Sequence, residues 1–322
     1  MHFMKISPSA AVYALGHFLV DLSCALIMLS VGAEIWHFVM YNFLAFAVQM
    51  PIGLLADGIG NNRRFALIGV ILVVLGFLPC PVIFRVAFVG LGNACYHIGG
   101  GRDALLQKGG LTGLGFFVSP GAIGILLGTL CSHIAWLHMV VAAALVICWI
   151  LVISFCNDCA VFSKKGRFSV PQAAIMMSVV LLRSFVGMSM ETPWKIGGFI
   201  ILGALAAAGG KALGGVLADC FGWKITGTVS LIISGLLFLL PENGMIGIIG
   251  VFLFNMSMPI TLGQAADSCS GYEGFAFGML TFGLFLGYLP SVFGITVSSW
   301  IGAMLSLISA GLLAAAPEEI YD

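Results

Sequence analysis

The sequence predicts an all-α integral membrane protein, with about twelve transmembrane helices in two pseudo-symmetric six-helix halves. Three observations carry this: the composition, the placement of basic residues, and an internal repeat. The chain has 322 residues, of which 61% are apolar and 8% charged. A soluble domain carries roughly 25% charge and 45–50% apolar residues. With a mean hydropathy of +1.13, the solvent must be lipid, and a soluble enzyme is excluded. Thirteen Lys and Arg balance thirteen Asp and Glu, so the basic excess of a nucleic-acid binder is absent. A span needs about 20 residues, so twelve spans leave room only for short loops.

Breaks at Gly, Pro and charge clusters divide the chain into apolar segments at 9–30, 35–56, 65–79, 81–100, 111–131, 134–155, 171–190, 196–218, 225–240, 243–262, 273–290 and 292–314. Each is expected to be a helix, because backbone groups in lipid must be satisfied within the segment. The first contains Asp21 and is too long for a signal-peptide core, so it reads as a retained span. Twelve spans put both termini on one side. Lys5, Arg63, Arg64, Arg102, Lys108, Lys164, Lys165, Arg167 and Lys224 fall on that side, and only Lys195 in an opposite loop. This asymmetry predicts cytoplasmic termini in an inner, cytoplasmic membrane. The polar stretch 158–170 reads as a cytoplasmic linker between an N-terminal half, 1–157, and a C-terminal half, 171–322. The nine cysteines are scattered and form no disulfide framework. Cys156 and Cys159 form a CxxC without further ligands, so no metal site and no cofactor are expected.

Sliding the chain against itself by one fixed offset brings the halves into register. Gly53, Asp57 and Gly60 meet Gly215, Asp219 and Gly222, Pro79 meets Pro241, and Asn93 meets Asn255. No gap is needed between these matches. Such symmetry is a sign of a secondary transporter with its site between the repeats. The same offset pairs Asp21 with Arg183. Intramembrane charges are functional candidates by default. An ion pair across a central cleft is therefore expected, with a solute anion competing for Arg183 and a proton on Asp21 easing the exchange. A fixed structural pair is the other reading.

With these residues stated, the chain resembles the major facilitator superfamily. Gly53, Asp57, Gly60, Arg63 and Arg64 look like that family's loop signature between spans two and three, and Gly215, Asp219, Gly222 and Lys224 look like its second copy. Gly58 stands where the family often has Arg, and the first basic residue comes late. The resemblance implies that each Asp gates the contact between halves. A carboxylate favours a neighbouring helix N-terminus, while a plain Asp-Gly turn uses the same residues. Gly115, Pro120 and Gly124 in span five are similar to the family's antiporter signature, with Ser119 and Ile123 in place of Gly. The segments around Asp21 and Arg183 look most like the fosmidomycin-resistance type of drug exporter.

The expected solute and proton cavity comprises Asp21, Arg183, His17, Asn93, Asn255, His97, Arg85 and Lys211. His17 lies one turn from Asp21, and His97 one turn from Asn93, hence on shared helix faces. The Asn residues supply uncharged hydrogen bonds to solute or join helices. Arg85 and Lys211 either snorkel or meet an anion. The function expected is proton-coupled efflux of a small organic solute by a monomeric secondary carrier. Uptake by a symporter or uniporter is the alternative, ahead of a sensor, a channel or a membrane enzyme. No Walker-type phosphate loop is present.

Overall fold

The computed structural model describes residues 7–106, 110–156 and 168–317. Lys5, Lys108, Lys164, Lys165, Arg167, Cys159 and most of the expected linker lie outside the described residues. The described residues form twelve helical segments. They are α1 Pro8–Ser30, α2 Ile35–Ile59, α3 Asn62–Leu75, α4 Val82–Leu106, α5 Gly110–Cys131, α6 Ala135–Phe155, α7 Val170–Ser189, α8 Gly198–Phe221, α9 Trp223–Phe238, α10 Gly244–Ser268, α11 Glu273–Val292 and α12 Ser299–Ala315. Nine of these are long and apolar enough to cross a membrane; α9 and α12 are shorter apolar helices, and α3 carries Arg63 and Arg64 in its first turn. β-Structure among the described residues is limited to two isolated bridges.

Local chemistry sets the helix ends. Ser7 caps α1, its hydroxyl accepting from the Ala10 N–H at 3.1 Å, with Pro8 in the first turn. Asn61 and Asn243 cap α3 and α10 in the same way. Gly60 (φ 73°) and Gly222 (φ 89°) make the tight turns after α2 and α8, where a side chain would be strained. These are the last glycines of the two signature copies.

The offset read from the sequence holds in the helices. The shift that carries Asn93 onto Asn255 also carries α4, Val82–Leu106, onto α10, Gly244–Ser268, at both ends. The core joins close-packed glycines to large buried side chains such as Tyr13, Tyr96, Met176 and Leu280. In α6 only Val141, Leu145, Cys148 and Val152 are buried, a stripe with helical spacing. Trp136, Met139, Val140, Ile147 and Ile150 are exposed, as a lipid-facing surface requires.

The largest boundary differences fall at three helices. α4 and α10 run about a turn and a half further, to Leu106 and Ser268. The last span starts at Ser299, not 292. There Gly294 (φ 71°) ends the helical course. Val297 then pairs with the end of α7, donating to Ser189 O and accepting from Glu191 N, both at 2.9 Å.

Candidate functional site

Two clusters stand out: contacts between the halves on the face where α1 begins, here the terminus face, and a buried polar cluster along the helices.

On the terminus face, Asp57 lies in the last turns of α2 and is 8% exposed. Its Oδ1 accepts from Gly274 N and its Oδ2 from Phe275 N, each at 2.8 Å, at the start of α11. The Arg102 Nε donates to Oδ1 at 2.7 Å, and Arg102 also donates to Asn62 Oδ1 at 2.7 Å. The carboxylate thus meets two free N–H groups at the positive end of a helix dipole. Gly53 makes the approach possible, because a Cβ there would strike the Gly274 carbonyl. Asp219 repeats the arrangement in mirrored order. It accepts from Leu111 N at 3.0 Å, Thr112 N at 2.8 Å and Thr112 Oγ1 at 2.6 Å, at the start of α5. Gly215 lies against the Leu111 carbonyl, and Gly115 against that of Lys211. Each half therefore caps a helix of the other.

Deeper along the same contacts, Ser119 Oγ donates to Ala208 O at 2.8 Å and Thr281 Oγ1 to Phe46 O at 3.0 Å. The repeat relates these bonds to each other: Ser119 corresponds to Thr281, and Phe46 to Ala208. Phe46 lies in a π-helical turn, Phe43–Ala47, within α2. Ser119 interrupts α5, with Pro120 opening its second part.

The polar cluster sits where α1, α4 and α5 meet. Asp21 Oδ2 lies 3.1 Å from His17 Nε2, while its Oδ1 lies 3.7 Å from His97 Nε2 and accepts from Asn93 Nδ2 at 2.9 Å. All four side chains are buried. The His17 Nδ1 contacts Phe117 O at 2.7 Å and the His97 Nδ1 contacts Asn93 O at 2.9 Å. The two rings pack edge to face at 4.3 Å. Gly121 of α5 closes over them, and a Cβ there would meet both His17 Nε2 and Asp21 Oδ2. Gly124 packs on the α1 backbone at Phe18.

One expectation is corrected, and the other expected residues are placed as follows. Asp21 and Arg183 form no ion pair: the carboxylate is held by neighbours within its own half. Arg183, 6% exposed, lies over the Phe254 ring at 5.3 Å, and its buried Nε has no hydrogen-bond partner among the described residues. Lys211 is half-buried and within Coulombic reach of Asp21 and Arg183. Asn255 turns to its own helix, donating to Val251 O at 2.9 Å. Arg85 does not join the cavity group. Its Nε caps the end of α3 at Gly76 O, 2.9 Å away, as a cation at a helix C-terminus does. Arg63 reaches Cys156 O at 3.3 Å, at the end of α6, not Asp57. The Arg64 side chain is not drawn to either carboxylate among the described residues, and the Lys224 Nζ lies over Trp223 at 5.7 Å. The residues missed were Arg102, placed only among the loop charges, and Gly121. Arg102 is 1% exposed, and its burial was signalled only by the run Gly99-Gly100-Gly101 before it.

No protein-family profile matches the sequence, and no curated protein does. Solved structures do resemble it. The fucose:proton symporter FucP of E. coli superposes with TM-score 0.65 at 12% identity, over 95% of this chain and 96% of that one. A structure of FucP in the outward conformation, described as a major facilitator superfamily transporter, gives 0.66 at 12% identity over the same shares. The human organic anion transporter MFSD10 (TETRAN) gives 0.68 at 12% identity, over 95% of this chain and 97% of that one. The chain therefore has the fold of the major facilitator superfamily transporters.

Proposed function

We propose that the chain is a secondary active transporter that moves a small organic solute across the cytoplasmic membrane by alternating access. The halves are residues 1–157 and 171–322, joined by a cytoplasmic linker at 158–170, with both termini cytoplasmic. One observation carries the reading: the crossed caps of Asp57 on α11 and Asp219 on α5, which join the halves on the terminus face. Contacts of this kind define one of two states, and breaking them releases the other. In this reading the structure has its cytoplasmic side closed.

The central side chains support an anionic or zwitterionic solute. Arg183 in α7 and Lys211 in α8 have no ion-pair partner among the described residues. An unpaired buried guanidinium is costly, and a solute carboxylate or phosphate satisfies it with charge-assisted hydrogen bonds. The organic anion specificity of MFSD10 and the sugar and proton cargo of FucP belong to those proteins. Both are compatible with such a site.

Proton coupling rests on hydrogen-bond accounting at Asp21. Both histidines turn Nδ1 to a carbonyl, which only accepts, so each Nδ1 carries hydrogen. His17 Nε2 then faces a carboxylate oxygen at 3.1 Å. A contact that short between two acceptors needs a proton between them. The span-five Gly115, Pro120 and Gly124 pattern points the exchange toward efflux, with a monomer as the working unit. Purified protein in proteoliposomes tests the reading. Solute counterflow across a panel of organic anions is expected, lost in Arg183→Ala. An imposed pH gradient is expected to drive solute opposite to proton flow; accumulation with the proton instead establishes uptake symport. Absence of counterflow over the whole panel overturns the carrier reading.

A further inference from the structure

We propose that His17, Asp21 and His97 form a binding site for one divalent transition-metal ion of the zinc class. The inference rests on side-chain geometry alone, and a proton and a metal ion are alternative occupants of the same position.

The ligand atoms converge. One nitrogen from each ring and one carboxylate oxygen all lie within 4.8 Å of one another, with every residue buried. A tetrahedral ion with bonds near 2.0–2.1 Å separates its ligand atoms by roughly 3.3 Å. His17 Nε2 stands 3.1 Å from Asp21 Oδ2 and His97 Nε2 3.7 Å from Asp21 Oδ1, so the two rings address the two oxygens of one carboxylate. The three ligand atoms, within 4.8 Å of one another, close on an ion by drawing inward toward that spacing.

The lone pairs point the right way. With hydrogen on each Nδ1, the Nε2 of both neutral rings is a bare lone pair aimed at Asp21. Three acceptors facing one another in a buried site repel unless a positive species sits among them. The supporting contacts are those that metal-binding histidines use: the far N–H donates to a backbone carbonyl, which fixes the tautomer and the ring. Here Phe117 O and Asn93 O play that part, at 2.7 and 2.9 Å. Asn93 Nδ2 fixes the carboxylate in turn. The rings are further held by edge-to-face packing on each other and by Phe117 at 4.9 Å. Gly121 carries no side chain that would intrude on His17 Nε2 and Asp21 Oδ2.

The donor set selects the ion. Two imidazoles and a carboxylate suit zinc and its first-row neighbours, whereas magnesium and calcium demand more oxygens. Three protein ligands leave one position open, the pattern of a working site, not a closed structural one. Lys211 and Arg183 are within Coulombic reach of each other, and Lys211 of Asp21. The Lys211 charge, within reach of Asp21 and His97, favours an anion as the fourth ligand.

The test uses the full-length chain, purified in detergent, stripped with chelator and titrated with Co2+. The expected result is one Co2+ per chain with a tetrahedral-type visible spectrum free of thiolate charge transfer. His97→Gln and Asp21→Asn are expected to weaken binding by at least about 100-fold, beyond the 10–100-fold typical of losing a supporting partner. His133→Gln, in the loop between α5 and α6, is expected to bind as the parent does. Folding of each variant is checked by its melting profile. Should a variant not fold, the parent decides: no stoichiometric Co2+, a weak octahedral spectrum, or thiolate bands overturn the proposal. Unchanged affinity in a folded His17→Gln/His97→Gln chain overturns it too. Loss of metal binding leaves counterflow untouched as a test of transport, and the reverse also holds, so the two readings fail separately.

Discussion

The two interdomain caps share a template but differ in burial, and that difference ranks them. Asp57 is buried and adds Arg102 to the two α11 amides. Asp219 is exposed and holds two α5 amides and the Thr112 hydroxyl. The repeat explains the gap. The position equivalent to Arg102 is Gln264, which pairs instead with Gln172 at 3.2 Å and Asp267 at 3.1 Å. Asn62, which steadies Arg102, corresponds to Lys224. Both copies carry the carboxylate and the close glycine, while among the described residues only the first has a buried cation on it. The lesson is that a duplicated motif preserves backbone geometry more readily than a charge network. If the caps act as latches, the buried Asp57 cap is the stronger and the exposed Asp219 cap the weaker.

The largest effect is expected for Asp57→Ala. It strands Arg102 inside the protein, and breaking a buried pair by removing one partner costs about 3–5 kcal/mol. Hydrogen exchange at the start of α11, over Gly274 and Phe275, should quicken by about a hundredfold or more, since each 1.4 kcal/mol is roughly tenfold. Counterflow should fall with it. Protection unchanged at α11 would remove Asp57 from the latch. Gly53→Val ranks next, because its Cβ meets a backbone carbonyl that cannot swing aside. Overpacking of this kind costs about 1–3 kcal/mol, read as a lower melting temperature. Gly215→Val, against the Leu111 carbonyl, should be similar, so the pair tests whether the two interfaces differ in charge and not in packing. A Gly215→Val effect much smaller than Gly53→Val would show a packing difference as well.

How much of this was legible beforehand follows the same division. The helices were readable because lipid imposes apolar runs of fixed length, and the repeat offset carries α4 onto α10 at both ends. The caps were expected because Gly53, Asp57 and Gly60, repeated as Gly215, Asp219 and Gly222, resemble a family signature that implies a contact with a neighbouring helix. Arg102 was not, since its partner is 45 residues away on another helix and its repeat counterpart is uncharged. The expected pairing of Asp21 with Arg183 failed for a related reason. Pseudo-symmetry equates the positions of two residues but does not bring them into contact. Asp21 found partners on its own helix and on α4, 72 residues on at Asn93. Those contacts depend on how α1 crosses α4, which no periodicity in either segment states.

The smallest effect is expected for Asp219→Asn. A charge at an exposed helix N-terminus contributes about 0.3–1 kcal/mol, and an amide oxygen still accepts one hydrogen bond. Exchange over Leu111 and Thr112 should quicken by about two- to fivefold, with counterflow little changed. The comparison sharpens with salt. At 1 M the Debye length is about 3 Å, so screening should loosen the exposed α5 cap of the parent protein, while the buried α11 cap and its Arg102 are screened far less. Salt applied to Asp219→Asn should then add little further loosening at α5, because the charge it acts on has gone. If salt instead loosens α11 as much as α5, Asp57 is reached by solvent in the working protein. The two caps would then have the same strength, and the first would not be the latch.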